Sequence, residues 1–374
     1  MKHDDVLITK LNVRIEQNSL RKLEAPQGLI DFCSNDYLGF ARSKELAKQI
    51  GELQLDNVVN LVGSGAPRLI SGNNNFVELI EDNLASFCCS DTGLLFNSGY
   101  NSNIGFFSCV PQRGDVVFYD EYSHASIRDG LKMSLSKSYS FKHNDLGDLK
   151  RKLETVQPNQ SVFVVVESVY SMDGDSPDLV GLANYCHEFG YHLVVDEAHG
   201  FGVFGPNGEG RIVELGLQDK TYARIITFGK ALGCNGAVIL GSETLRSYLV
   251  NYARSLIYTT MMSIGDQKAI YCGLKRLKHT GTTAKVSSLC ALLKSLINTT
   301  NFKLIASDSC VQSLVIPGVD QVKEMESRLR KNGFWVKAIL SPTVPEGMER
   351  IRICLHEFNS EEEIKELVKC MRDE

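Results

Sequence analysis

Short apolar runs recur through the first two-thirds of the chain, at 93–96, 116–119, 162–167, 192–196, 224–228 and 237–240. Most are bounded by Gly, Asp, Asn or Ser. Unbroken apolar runs of this length predict strands buried on both faces. Stretches with helical spacing lie between them. One of these is capped by Asn73 or Asn74 and carries Phe76, Leu79, Ile80, Leu84 and Phe87 on a single face. Strand and helix in alternation predict an α/β domain with a mostly parallel central sheet and right-handed crossovers.

The two ends of the chain read differently. Residues 1–30 predict a polar helix, with Leu11, Ile15 and Leu20 spaced to pack against something, and then a turn at Pro26-Gln27-Gly28. Beyond 265 a long helical stretch leads to 313–317, a helix at 319–332, strand-like runs at 334–339 and 350–355, and a last helix. This predicts a smaller C-terminal α+β domain. The expected division is an N-terminal segment 1–40, a large domain 41–265 and a small domain 266–374.

Composition narrows the function classes. The 374 residues carry a formal net charge of -5 without charge blocks, so no footprint for nucleic acid or a membrane surface is present. No apolar run reaches the ~18 residues of a membrane span. The opening Met1-Lys2-His3-Asp4-Asp5 is polar and argues against a secretory signal. The eleven cysteines form no CxxC pair and no Cys/His metal spacing. They read as free thiols of a reducing cytoplasm, with no metal site.

The candidate chemistry gathers where apolar runs end, because ligands of open α/β sheets bind beyond the carboxyl ends of the strands. Thr227-Phe228-Gly229-Lys230-Ala231-Leu232-Gly233 places one lysine at the end of a buried run. Desolvation lowers the pKa of such an amine and makes it a nucleophile toward an aldehyde. That is the chemistry of a Schiff-base lysine holding pyridoxal phosphate, with the Thr227 hydroxyl available to the phosphate. Most lysines beside glycines are solvated loop residues, so the other run ends must decide. Asp196 can cap a helix or form a salt bridge, or it can hold a pyridine nitrogen protonated. His199 stands three residues on. Ser98-Gly99-Tyr100 opens a helix whose free N–H groups suit a phosphate. His124 is suited to stacking on an aromatic ring, and Ser171 brings a hydroxyl to a further run end.

These residues together resemble the α-oxoamine synthases, which are fold-type I pyridoxal-phosphate enzymes. The matching stretches span nearly the whole chain. They include Ser34-Asn35-Asp36-Tyr37-Leu38-Gly39, Gly63-Ser64-Gly65 through Ser71-Gly72, Ser123-His124-Ala125-Ser126, Ser171-Met172-Asp173-Gly174-Asp175, Asp196-Glu197-Ala198-His199-Gly200 and Thr227-Phe228-Gly229-Lys230. The resemblance implies decarboxylative condensation of an amino acid with an acyl thioester. It implies that Lys230 bonds the cofactor and moves the substrate α-proton. Asp196 would pair with the ring nitrogen and His124 would stack on the ring. His199 and Ser171 would lie near the phenolic oxygen, and Ser98, Gly99 and Tyr100 at the cofactor. Thr227 would bind the phosphate, joined by Thr260 of a partner subunit in a homodimer. Asn35 and Arg352 would hold the amino-acid carboxylate, and Arg21 and Thr343 would contact the acyl substrate.

The C-terminal motifs Asp308-Ser309-Cys310, Trp335-Val336-Lys337-Ala338-Ile339 and Ser341-Pro342-Thr343-Val344-Pro345 resemble the members that join L-alanine to a pimeloyl thioester, carried on CoA or on acyl carrier protein. Members using glycine with acetyl-CoA, or an amino acid with a medium-chain acyl-CoA, share the cofactor motifs. Pro67, Cys234-Asn235, Met262-Ser263-Ile264 and Leu340 depart from the usual pattern. A non-catalytic subunit has no need of Lys230, and a nucleotide-binding protein of the Walker type would carry a GxxxxGK[ST] loop, which this chain lacks.

Overall fold

The computed structural model describes residues 3–25, 28–55, 62–280 and 284–372. The expected turn at Pro26-Gln27-Gly28 rests on Pro26 and Gln27, which lie outside the described residues. The chain forms two compact units: a larger one of residues 35–286 and 356–358, and a smaller one of residues 1–34, 287–355 and 359–374.

The larger unit is built on a seven-stranded sheet among the described residues. Its order is Thr92–Phe96, Ala237–Gly241, Ala223–Thr227, His192–Asp196, Val162–Glu167, Val116–Asp120 and Lys137–Phe141. All six expected runs form strands. Lys137–Phe141 was not foreseen, because its Lys-Ser-Tyr-Ser-Phe sequence alternates exposed and covered positions at the edge of the sheet. Ala237–Gly241 runs antiparallel to both neighbours, so the sheet is mostly parallel, as expected. The other six strands share one direction, so their carboxyl ends lie along one edge.

The pleat sends alternate side chains to opposite faces. Phe163 and Val165 join Leu94, Phe106, Phe107, Val194 and Ile225 in one core. Val162, Val164 and Val166 join Phe118, Leu149, Leu182, Leu193 and Val195 in another. Helices cover both faces, which is why these strands have no polar side. Polar caps start the helices: Asn74 accepts the Val77 N–H, Ser98 the Asn101 N–H and Asp178 the Gly181 N–H. On Asn75–Phe87 the buried stripe runs through Phe76, Val77, Ile80 and Leu84, and Leu79 falls outside it at 47% exposed.

The smaller unit holds a four-stranded antiparallel sheet ordered Lys337–Ile339, Arg350–Cys354, Val311–Val315 and Lys303–Leu304. The single strand expected over 334–339 is two: Phe334–Trp335 pairs with Ile30–Asp31, and Lys337–Ile339 pairs with Arg350–Cys354. The N-terminal helix His3–Glu16 buries no residue. Its apolar positions, Val6, Leu7, Ile8, Leu11, Val13 and Ile15, encircle the axis instead of forming a stripe.

One buried ion pair fixes the chain just past the strand His192–Asp196. Arg224 Nε donates to Glu197 Oε2 at 2.6 Å, and its terminal nitrogens donate to the carbonyls of Cys88 and Glu209 at 2.5 and 2.7 Å. Glu197 Oε1 also accepts the Ile212 N–H at 3.0 Å. Removing one partner strands a desolvated charge. Arg224→Ala is therefore expected to lower stability by about 3–5 kcal/mol in denaturant unfolding. A loss below about 1 kcal/mol, the level of an exposed pair, would refute that role.

Candidate active site

Residues 228–236 connect two antiparallel strands, so the connection is a hairpin that stays at the carboxyl edge. Phe228 N–H and the Thr227 hydroxyl both donate to the Gly236 carbonyl, at 3.0 and 3.3 Å. Gly233 N–H donates to the Lys230 carbonyl at 2.9 Å, closing a turn over the lysine. Gly233 has φ +64°, and a Cβ there would meet Ala41 N at 2.3 Å. Glycine is thus required both by conformation and by space. Lys230 is half-buried on this hairpin.

Asp196 ends the adjacent strand and is buried. Its Oδ1 accepts the Ala198 N–H at 2.9 Å and its Oδ2 accepts from Asn103 Nδ2 at 3.0 Å. The same Asn103 nitrogen donates to Ser126 Oγ at 2.9 Å, and Ser126 Oγ lies 2.7 Å from His124 Nδ1. His124 Nδ1 also accepts the Ser126 N–H at 3.3 Å, which makes it the unprotonated nitrogen. Burial pulls the His124 pKa down, Asp196 opposes this, and Lys230 adds to it. The outcome is a neutral imidazole.

Glu167 ends the next strand and pairs in register with Asp196. Its Oε1 accepts the His124 N–H at 2.6 Å. Burial and the neighbouring Asp196 push its pKa up to about 8, against the pull of Lys230. The mutual influence of Lys230, Asp196, His124 and Glu167 makes them one electrostatic group.

The helix Gly99–Cys109 begins beside the hairpin. A Cβ at Gly99 would lie 3.1 Å from both Cβ and Oγ1 of Thr227, so a larger residue would have to push this helix end and Thr227 apart by a few tenths of an ångström. The positive end of a helix beside a threonine hydroxyl suits a phosphate. Tyr100 is 48% exposed and donates to Asp129 Oδ2 at 2.6 Å. Thr260 is exposed, and its carbonyl accepts from Asn97 Nδ2 at 2.7 Å. His199 is buried and shares a 2.6 Å hydrogen bond with the Tyr37 hydroxyl, which also donates to Asn35 Oδ1 at 3.3 Å. Ser171 lies in a turn closed by Tyr170 N–H to the Asp175 carbonyl at 2.9 Å and Gly174 N–H to the Tyr170 carbonyl at 2.7 Å.

Eleven of the expected residues therefore belong to the larger unit: Asn35, Ser98, Gly99, Tyr100, His124, Ser171, Asp196, His199, Thr227, Lys230 and Thr260. Arg21, Thr343 and Arg352 belong to the smaller unit. Arg21 and Thr343 are exposed there, and Arg352 is buried in the strand Arg350–Cys354. Sequence reasoning passed over Asn103, Ser126, Glu167 and Tyr37. For Glu167 a signal was present, since it is a carboxylate closing an otherwise apolar strand, as Asp196 is. Asn103 sits one turn inside its helix, and only the fold shows which way it faces. All eleven cysteines are free thiols, and among the described residues no helix is long and apolar enough to cross a membrane.

A raised carboxyl pKa links stability to pH. Glu167 binds its proton up to about pH 8 in the folded chain, against an ordinary glutamate value of 4.5. Between those values the folded state holds more protons than the unfolded state, so Glu167 lowers stability as pH rises. The isosteric Glu167→Gln is expected to flatten that decline. Melting temperatures of both proteins from pH 4.5 to 8 test this, and parallel curves would contradict it.

The family model for aminotransferase class I and II matches residues 27–370. An 8-amino-7-oxononanoate synthase of Emericella nidulans is 37% identical over 388 aligned residues, covering 98% of this chain and 94% of that protein. One from Saccharophagus degradans is 36% identical, covering 92% of this chain and 86% of that protein. The crystal structure of 8-amino-7-oxononanoate synthase from Francisella tularensis superposes with a TM-score of 0.79 at 27% identity, over 92% of this chain and 96% of that one. The fold, the grouping of Lys230, Asp196 and His124 and these matches agree: the chain belongs to the class I and II aminotransferase family and, within it, to the pyridoxal-phosphate-dependent α-oxoamine synthases.

Proposed function

We propose that the protein condenses L-alanine with a pimeloyl thioester, on CoA or on acyl carrier protein, to give 8-amino-7-oxononanoate, CO2 and the free thiol, a step of biotin biosynthesis in the cytoplasm. The observation that carries the choice of substrates is identity over nearly the whole chain with proteins named for that product. The motifs 308–310, 335–339 and 341–345 support the same choice.

The donor set fits the cofactor. Lys230 and the buried carboxylate of Asp196 both act electrostatically on His124 and Glu167, and the Gly99 helix end stands against the Thr227 hydroxyl. Pyridoxal phosphate, when bound, supplies an electron sink for charge at the α-carbon of an amino acid. Lys230 would anchor the group, and its freed amine would take the substrate α-proton and return it. Asp196 holds a proton on the ring nitrogen. Asn103 orients Asp196 and, through Ser126, holds His124 as a neutral imidazole, which would stack on the ring. His199, fixed by Tyr37, and Ser171 serve the phenolic oxygen. Ser98, Gly99, Tyr100 and Thr227 form the phosphate end, completed by Thr260 of a second copy in a homodimer. Asn35 and Arg352 act on the amino-acid carboxylate, which a guanidinium grips bidentately. Arg21 and Thr343 serve the acyl substrate.

The test is turnover by the cofactor-loaded protein, with thiol release and product mass as readouts. Release of CoA from pimeloyl-CoA that requires L-alanine is the expected result. Turnover only with another amino acid, or only with an acyl group other than pimeloyl on either carrier, would overturn the substrate assignment. Lys230→Ala is expected to remove turnover and the visible absorption band that the lysine-bonded cofactor gives, while far-ultraviolet circular dichroism stays unchanged. Asp196→Asn is expected to keep the fold and lose about 10²-fold or more in kcat, the scale of a lost electrostatic stabiliser. Wild-type rates in either variant would contradict the assigned roles.

A further inference from the structure

We propose that His143 is a positioning residue: clamped between Asp120 and Asp175, it holds the loop carrying His124 against the turn carrying Ser171. The inference rests on the reading of those loops as the cofactor seat. The backbone ladders stop short of them. The last registered pairs are Tyr119 with Val165 and Asp120 with Phe141, and His124 and Ser171 lie beyond both. Side chains must set the spacing from there on.

His143 follows the edge strand Lys137–Phe141 and supplies that link. Its Nδ1 donates to Asp120 Oδ1 and its Nε2 to Asp175 Oδ2, each at 2.9 Å. Asn144, at φ +53°, repeats the pairing: its N–H donates to Asp120 Oδ2 at 2.9 Å and its Nδ2 to Asp175 Oδ2 at 2.7 Å. Asp120 is fully buried and also accepts the Tyr122 N–H at 2.8 Å, which starts the turn into His124. Asp175 closes the turn around Ser171 through its carbonyl. Three successive neighbouring strands are thus tied together just beyond their ends.

The surroundings of the ring explain its charge. It stacks on Tyr122 at 4.2 Å and meets Tyr170 edge-on at 4.5 Å. The ionisable groups facing it are Asp120, Asp175, Asp173 and Glu121, whose Oε1 accepts the His143 N–H at 3.0 Å. Hydrogen bonds to Asp120 and Asp175 outweigh burial and raise its pKa to about 10. With both ring nitrogens donating, His143 has no lone pair for a metal ion, so the neighbouring carboxylates are its counter-charges.

The experiment compares wild type with His143→Gln, whose amide can serve only one of the two carboxylates. Two readouts are taken on apoprotein: the Kd for added pyridoxal phosphate, and hydrogen exchange at the Tyr170 and Gly174 amides. His143→Gln is expected to raise the Kd roughly tenfold or more, the scale of a broken buried charge pair, and to speed exchange at Gly174. Asp175→Asn cuts the same clamp from its other side and carries the test if His143→Gln fails to fold. It also leaves His143 one carboxylate, which lowers the pKa of the ring. The ratio of its cofactor Kd to that of wild type is therefore expected to grow as pH rises toward about 10, because wild-type His143 keeps its proton up to there. Faster exchange with unchanged Kd would mean that the clamp exists but does not seat the cofactor, and would overturn the proposal. Unchanged exchange and unchanged Kd would overturn the clamp itself. Failure of wild type to bind pyridoxal phosphate would refute the cofactor seat, while exchange would still report on the clamp.

Discussion

A parallel strand connection needs about a dozen residues or more, and residues 228–236 are too few. The chain must therefore turn back as a hairpin after Thr227, and the next strand enters the sheet reversed. This constraint determines where the chemistry can lie. A helical crossover would have carried the residues after Thr227 across a face of the sheet. The hairpin instead keeps Lys230 at the edge where Asp196, Glu167 and the His124 loop also end. Gly233 and Gly236, both at positive φ, make so tight a return feasible.

At that edge, charge is arranged by burial. Asp196 has its oxygens engaged by Ala198 and Asn103. Next to it, Glu167 is driven toward its neutral form and His124 toward its neutral form, for the same reason of desolvation beside charged neighbours. An acid and a base of opposite type thus both lose charge within one small region. Functional sites commonly show such opposed shifts, because a poised proton is useful there. The polar chain from Asp196 through Asn103 and Ser126 to His124 explains why these side chains are held rather than mobile.

Much of this was legible in the residues. Val162–Glu167 and His192–Asp196 are strands over the runs expected, because unbroken apolar stretches leave no other way to bury both faces. Ser98 and Asn74 cap helices as their types suggest. The edge strand Lys137–Phe141 was not legible, since its neighbour covers one side only and its sequence is polar at alternate positions. Which strand of the mostly parallel sheet is reversed depends on the length of the connection, not on composition. Asn103 and His143 act through partners distant in sequence, and no local pattern marks such residues. Pairing of Phe334–Trp335 and Lys337–Ile339 with different strands is likewise a property of the assembled sheet.

The central claim is that Lys230, brought back by the hairpin, is the lysine that bonds pyridoxal phosphate. The direct measurement is borohydride reduction of the cofactor-loaded protein, followed by proteolysis and mass mapping of the modified lysine. The account predicts a single pyridoxyl adduct on the peptide containing Lys230. An adduct on another lysine, or none despite a visible band, would contradict it.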